Sequence, residues 1–214
     1  MIDYKSVSLA NQVFESIEEN ILNGVYASGE ILSENRLSKE LGVSRTPIRE
    51  ALSRLEGEKL ILSSPMGSVV LGITKKDVED MFLVKKSLEP EAFRRAALNI
   101  SDEALDRLKH NLEKQEFYAA KSDSESIKNL DTEFHDIIYE ESGSPILFSV
   151  LSQNHHKLLK FRKASLEKSN RIPGAYREHV AIYEALTERD GDKVARLMME
   201  HVSHAYENII KEDK

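Results

Sequence analysis

Gly42-Val43-Ser44 places the tightest constraint on this chain, because it leaves three residues in which to turn between two short amphipathic runs. The run before it, Ser33 to Leu41, has helical spacing, and Gly42 tolerates the left-handed conformation in which helices stop. The run after it reads Ser44-Arg45-Thr46-Pro47-Ile48-Arg49-Glu50-Ala51-Leu52. Ser44 suits an N-cap whose hydroxyl accepts from the amide of Thr46. Pro47 falls at the third helical position, where a missing donor costs nothing because first-turn amides have no intrahelical partner. Ile48, Ala51, Leu52 and Leu55 then make one buried stripe. Thr46, Arg49 and Ser53 face the other way, with Arg45 at the N-terminal tip. Residues 33–57 are therefore predicted to form a helix-turn-helix. A short helix with a narrow apolar back and Arg, Thr and Ser in front fits the major groove of double-stranded DNA.

The flanks agree with that reading. An earlier helix, about Leu9 to Asn23, presents Val13, Ile17 and Ile21 to the same core. Leu60-Ile61-Leu62 and Ser68-Val69-Val70-Leu71 have the character of two short strands, joined through Ser63-Ser64-Pro65-Met66-Gly67. This is a wing, a hairpin whose tip around Gly67 reaches DNA beside the inserted helix. The formal charge of −7 is unusual for a DNA binder. Residues 33–59 nevertheless carry Arg36, Lys39, Arg45, Arg49, Arg54 and Lys59 against Glu34, Glu40, Glu50, Glu56 and Glu58. Attraction must then be local, with few, well-placed contacts and weak non-specific binding. The absence of cysteine excludes disulfides, and no apolar run approaches the roughly 18–20 residues of a membrane span. A cytoplasmic protein with no membrane partner is expected.

From about Thr74 the pattern changes to long amphipathic helices with few strand signals. Thr74-Lys75-Lys76-Asp77 opens one, Ser101-Asp102-Glu103 a second, and Ser124 a third that runs to about Ser142. Gly143-Ser144-Pro145 precedes a fourth, Ile172-Pro173-Gly174 separates it from a fifth, and Asp190-Gly191-Asp192 opens the last. The predicted fold is mainly all-α: a winged helix-turn-helix of three helices and a short β-hairpin over residues 1–73, then an antiparallel bundle of about six helices over residues 74–214.

The bundle contains a second constellation. Asp131 and His135 lie four apart on one helix face, which they share with Ile127, Phe134 and Ile138. His179 is in line with Tyr176, Ile182, Tyr183 and Leu186. His201 is in line with Val194, Leu197, Met198 and Ala205. Three imidazoles and a carboxylate on inward faces are costly to bury unless something satisfies them. A divalent cation does so, and a three-histidine, one-aspartate set suits zinc or nickel, or manganese or iron, better than calcium. The competing reading is of four separately hydrogen-bonded core residues. His110, His155 and His156 fit no such arrangement and are expected at the surface. His204, one turn from His201, is left open as a cavity-lining residue.

With these residues in hand, the chain resembles a known family along nearly its whole length. Residues 8–72 are similar to the winged helix-turn-helix of the GntR regulators, whose pattern of Gly-Val-Ser-Arg-Thr-Pro-x-Arg-Glu-Ala-Leu, Leu-Glu and a wing glycine recurs at Gly42, Arg45, Arg49, Leu55, Glu56 and Gly67. Many relatives carry arginine directly after the glutamate matching Glu34. Here Asn35 stands there and Arg36 follows, one helical step of about 100° away. Residues 77–210 resemble the all-helical, FCD-type effector domain of the fatty-acid-regulator (FadR) branch. The resemblance maps its metal ligands onto Asp131-Thr132-Glu133-Phe134-His135, Glu178-His179 and Glu200-His201, hence onto Asp131, His135, His179 and His201. It also implies a small carboxylate effector completing the metal shell. Relatives often place an arginine in the first bundle helix before Leu-Glu; here Lys85 and Lys86 precede Leu88-Glu89 as the corresponding anion contacts.

The sequence thus describes a homodimeric, ligand-responsive transcriptional regulator, a repressor, that binds operator DNA through Arg45, Thr46, Arg49, Ser53, Arg36 and the wing at Gly67. A metal-responsive regulator in which the ion is itself the effector shares every motif. A metal-dependent hydrolase is the third reading. No convincing general base lies near the ligands and a helix-turn-helix is superfluous to a hydrolase, so no enzymatic activity is expected.

Overall fold

The computed structural model describes residues 8–161 and 172–212. The chain separates into two units, Met1–Lys75 and Lys76–Lys214. The first contains α1 (Leu9–Leu22), β1 (Ile31–Leu32), α2 (Glu34–Leu41), α3 (Arg45–Gly57), β2 (Ile61–Ser64) and β3 (Gly67–Val70). Ser8 caps α1 by accepting from the Asn11 amide, and Ser33 caps α2 by accepting from the Arg36 amide. Gly42 ends α2 in the left-handed region at φ +67°. α3 begins at the anticipated residue with Pro47 in its first turn, but Ser44 makes no side-chain capping bond. A capping hydroxyl addresses the amides two and three residues on. Pro47 has none to give, and the Thr46 amide goes uncaptured.

The apolar faces meet as the periodicity requires. Val13, Ile17 and Ile21 of α1, Leu37 of α2, and Ile48, Ala51, Leu52 and Leu55 of α3 are buried with Leu32, Ile61 and Val70. The sheet is antiparallel in the order β1-β3-β2. Its β2–β3 hairpin is the predicted wing, running from Ile61↔Val70 to Ser64↔Gly67. The third strand was not anticipated; β1 has only two residues, too few for an alternating pattern to register.

The second unit contains six helices among the described residues: α4 (Lys75–Asn99), α5 (Asp102–Ala120), α6 (Ser124–Glu141), α7 (Pro145–Phe161), α8 (Ile172–Thr187) and α9 (Gly191–Glu212). Ser101 caps α5 as expected. The cap of α6 is Asp123, not Ser124, because its carboxylate takes both the amide and the hydroxyl of Ser126, at 3.1 and 2.8 Å. Ile172-Pro173-Gly174 do not separate helices; they form the first turn of α8, where Pro173 gives up no bond. α5 packs on α6 and α8, α6 on α7, and α8 on α9. α4 touches its neighbours through side chains: Phe82 meets Tyr206 of α9, Phe93 meets Tyr139 of α6, and the Met81 carbonyl accepts from Asn154 of α7. Among the described residues no helix is long and apolar enough to cross a membrane.

Candidate nucleic-acid face and candidate metal centre

Arg45, Thr46, Arg49 and Ser53 are all exposed on α3, opposite the buried stripe that seats the helix. Arg49 lies across the helix pair with Nε 2.8 Å from Glu34 Oε1, which holds the Glu34 carboxyl below its usual range. Arg36 projects elsewhere. Its guanidinium is paired with Glu30 at 2.5 Å, stands 3.6 Å from Glu40, and lies over the Tyr26 ring. Gly67 is half-buried at φ +133°, and a Cβ there would stand 2.7 Å from the Leu32 carbonyl oxygen. Its place is fixed by the close approach of β1 to β3, while Met66 at the turn is 74 % exposed.

In the second unit, α6, α8 and α9 bring His135, His179 and His201 together, all buried, with a potential ligand atom of each within 4.8 Å of the others. Each ring has its Nδ1 against an outer partner. His179 Nδ1 is 3.0 Å from Gln115 Oε1, His201 Nδ1 is 2.8 Å from Glu178 Oε2, and His135 Nδ1 is 3.3 Å from the Tyr139 hydroxyl and 3.6 Å from Glu89 Oε1. Nε2 of His135 and Nε2 of His179 are buried with no hydrogen-bond partner among the described residues. Asp131, one turn before His135, has Oδ1 3.6 Å from His179 Nε2 and Oδ2 3.1 Å from His155 Nε2.

Burial is the first cause that pushes His179 well below the usual imidazole range, with His201 adding to it. His201 is lowered by burial against the opposing pull of Glu178. Burial alone would raise Asp131, but the close approach of His155 and the neighbouring imidazoles hold it well below the carboxylate range. Neutral imidazoles beside an ionised carboxylate are the protonation state that a divalent metal requires. The unpaired Nε2 atoms, fixed Nδ1 atoms and N/O donor set fit such an ion.

A cavity with about 50 Å³ of solvent-accessible space adjoins this cluster, bordered by Asp131, His155, His201, Lys85, Lys128 and Ser124 among others. Lys85 is buried, and its Nζ is 2.6 Å from Glu89 Oε1 and 2.8 Å from His155 Nδ1. Lys86 is not on the cavity wall; its Nζ lies 4.6 Å from the centre of the Tyr206 ring.

His155 corrects the sequence reading. The sequence predicts it at the surface, but it is only 3 % exposed, with its ring stacked on His135 at 4.3 Å, and burial followed by the charge of Lys85 pushes it down to about 3. His155-His156 reads as a polar pair on α7, and only the tertiary structure turns one ring inward. The expectation held for His156, which is exposed and pairs with Asp136 at 2.9 Å, and for His110. Glu89, Gln115, Tyr139 and Glu178 were also missed. Each serves through a partner on another turn or helix, which periodicity along one helix cannot show. His204 is exposed and shares the Glu178 carboxylate with His201.

Residues 9–71 match the family of bacterial regulatory proteins called gntR, and residues 80–204 match the FCD domain. The transcriptional repressor RspR of Escherichia coli K12 is 27 % identical over 199 residues, spanning 92 % of this chain and 87 % of that protein. The gluconate operon transcriptional repressor of Bacillus licheniformis is 29 % identical over 194 residues, spanning 88 % and 78 %. The solved structure of E. coli McbR/YncC superposes with a TM-score of 0.77 at 24 % identity, covering 98 % of this chain and all of that one, and so supports the fold. With a gntR helix-turn-helix followed by an FCD domain, the chain belongs to the GntR family of transcriptional regulators.

Proposed function

We propose that this regulator is a homodimeric repressor whose helical unit holds a divalent metal, zinc or nickel, on Asp131, His135, His179 and His201 and senses a small organic acid there. One observation carries the reading: three buried imidazoles from three helices converge, each with Nδ1 against its own partner, and two have Nε2 unpaired among the described residues. A bound ion supplies a positive centre on which a carboxylate settles. The adjoining cavity suits a small acid, since each water-sized position needs roughly 10–15 Å³. The repressor sense is supported by the names of RspR and the gluconate operon repressor. Dimerisation follows from the short reach of one recognition helix, which reads a useful operator only as one of two half-sites. The effector acts to the extent that its affinity differs between the DNA-competent and DNA-incompetent states.

The test is duplex binding, with an operator selected from a random pool, for protein loaded with zinc, stripped by chelator, and loaded with zinc plus individual short-chain acids. The proposal expects the third condition to differ from the first. A change on stripping alone, with no acid having any effect, makes the ion the effector. Arg49→Ala weakens binding to the selected operator about tenfold or more and to random DNA far less, as loss of a guanine contact requires.

A further inference from the structure

We propose that Lys85, Glu89 and His155 form a buried relay that orients Asp131 toward the metal, making Lys85 a positioning residue for the ion and not a receptor for the effector's carboxylate. This rests on the metal site proposed above. A lysine ammonium donates hydrogen bonds and accepts none. With Nζ 2.8 Å from His155 Nδ1, that nitrogen must be the acceptor, so the single proton of the neutral ring sits on Nε2. Nε2 in turn stands 3.1 Å from Asp131 Oδ2. At this distance the pair is in close contact without a hydrogen bond, and the relay requires the two side chains to turn so that Nε2–H points at Oδ2. Held by Oδ2, Asp131 leaves Oδ1 on the side of His179, 3.6 Å from its Nε2.

The same tautomer removes His155 from the list of donors. Glu89, His135 and His155 also bring ligand atoms within 4.8 Å of one another, which by spacing alone would read as a second metal site. The Lys85 ammonium already bonds to two of the three, at 2.6 and 2.8 Å. Its charge answers Glu89, which is fully buried and takes the Tyr139 hydroxyl as well. The His155 ring is kept in place by its stack on His135. The relay therefore runs Glu89, Lys85, His155, Asp131, and does for the carboxylate ligand what Gln115 and Glu178 do for His179 and His201.

Histidine tautomers are read directly from two-bond ¹H–¹⁵N correlations on zinc-free, full-length protein labelled at histidine, with His155→Phe identifying the His155 signals. The relay predicts the Nε2–H form; the Nδ1–H form overturns it. Zinc affinity, by competition with a chromogenic chelator, is expected to fall ten- to a hundredfold in His155→Phe, the usual cost of losing an outer partner. Lys85→Met alone strands Glu89 as a buried unpaired carboxylate, so Lys85→Met with Glu89→Gln is used, and it should release the tautomer preference and weaken zinc to a similar degree. A wild-type protein that binds no zinc overturns the metal reading and this proposal together. A zinc-binding wild type whose His155→Phe variant binds equally well overturns this proposal alone.

Discussion

His179 of α8 and Gln115 of α5 meet at 3.0 Å from positions 64 residues apart in sequence. The contact has a direction. Gln115 Nε2 donates to Asn111 Oδ1 at 2.7 Å, and Asn111 Nδ2 donates to the Leu130 carbonyl at 3.1 Å and to Glu133 at 2.9 Å. The amide oxygen of Gln115 is thereby aimed at His179, whose Nδ1 donates to it while Nε2 faces the other two imidazoles. Gln115→Leu should weaken zinc binding ten- to a hundredfold in a chelator competition. It should also cost roughly 1–3 kcal/mol of stability, because Asn111 Oδ1 loses its buried donor. Undiminished zinc affinity would mean that the stack of His179 on Phe134, at 4.3 Å and 17°, orients the ring unaided.

Gly67 is a question of sterics before it is one of DNA contact. An alanine there would combine a left-handed φ with a Cβ 2.7 Å from a backbone oxygen of β1, which cannot move aside as the end of a side chain could. Gly67→Ala should destabilise the first unit by about 1–3 kcal/mol, seen as an earlier thermal transition. Met66→Ala, at the exposed turn, should leave that transition alone. If both variants melt like the parent and only DNA binding suffers in Gly67→Ala, the glycine serves the DNA and not the sheet.

Tyr26 should lower the stability of the winged unit at alkaline pH. Its hydroxyl donates to Glu40 Oε1 at 2.7 Å, and burial, together with that carboxylate, pushes it up to about 12 from an ordinary value of 10. A group whose folded value lies above its unfolded one stabilises the fold fully below the unfolded value and loses that contribution as pH rises through the folded value. Stability of the first unit should therefore fall between about pH 10 and about pH 12, where Tyr26 adds a late-titrating ring to Tyr139 and Tyr176, which burial also raises. Tyr26→Phe should remove one late-titrating ring and that portion of the alkaline loss. A variant with the parent's alkaline profile would exclude Tyr26 as its origin.

The N-terminal unit was legible because its information is local. Gly42 stops a helix, Pro47 tolerates only a first turn, and the stripe from Ile48 to Leu55 recurs at helical spacing, each within a dozen residues. The histidine cluster was legible for a related reason: an imidazole in register with Ile182 and Leu186, or with Met198, must point where they point. What surrounds the cluster obeys no such rule. Lys85 and Glu89 form an i, i+4 pair that on any exposed helix would be an ordinary surface ion pair, and only the packing of α4 within the bundle buries both. The resemblance points to Lys85 and Lys86 as anion contacts by position alone, and position along the chain does not reveal that a buried glutamate already answers the charge of Lys85.

Among the described residues, that leaves Lys128 as the cation on the cavity wall best able to meet an incoming acid. Ser124, Lys128, Asp131 and His135 are spaced by four, three and four residues and so make one stripe of α6, with the proposed ligands at one end and the lysine a turn away. The acidic neighbour of Lys128, Glu125, is mostly exposed and 3.6 Å distant, a pairing too weak to hold the ammonium against a competing carboxylate. An acid with one carboxylate at the metal and a second about one turn, roughly 5 Å, farther on would engage both. On zinc-loaded protein, titration calorimetry should show succinate binding more tightly than butyrate. Lys128→Gln should lose about tenfold for succinate, as expected for one charge-assisted hydrogen bond, with butyrate and zinc content unchanged. Retained succinate affinity in Lys128→Gln, with loss in Lys86→Gln instead, would return the contact to the lysine that now lies over Tyr206 and require α4 to turn when the acid binds.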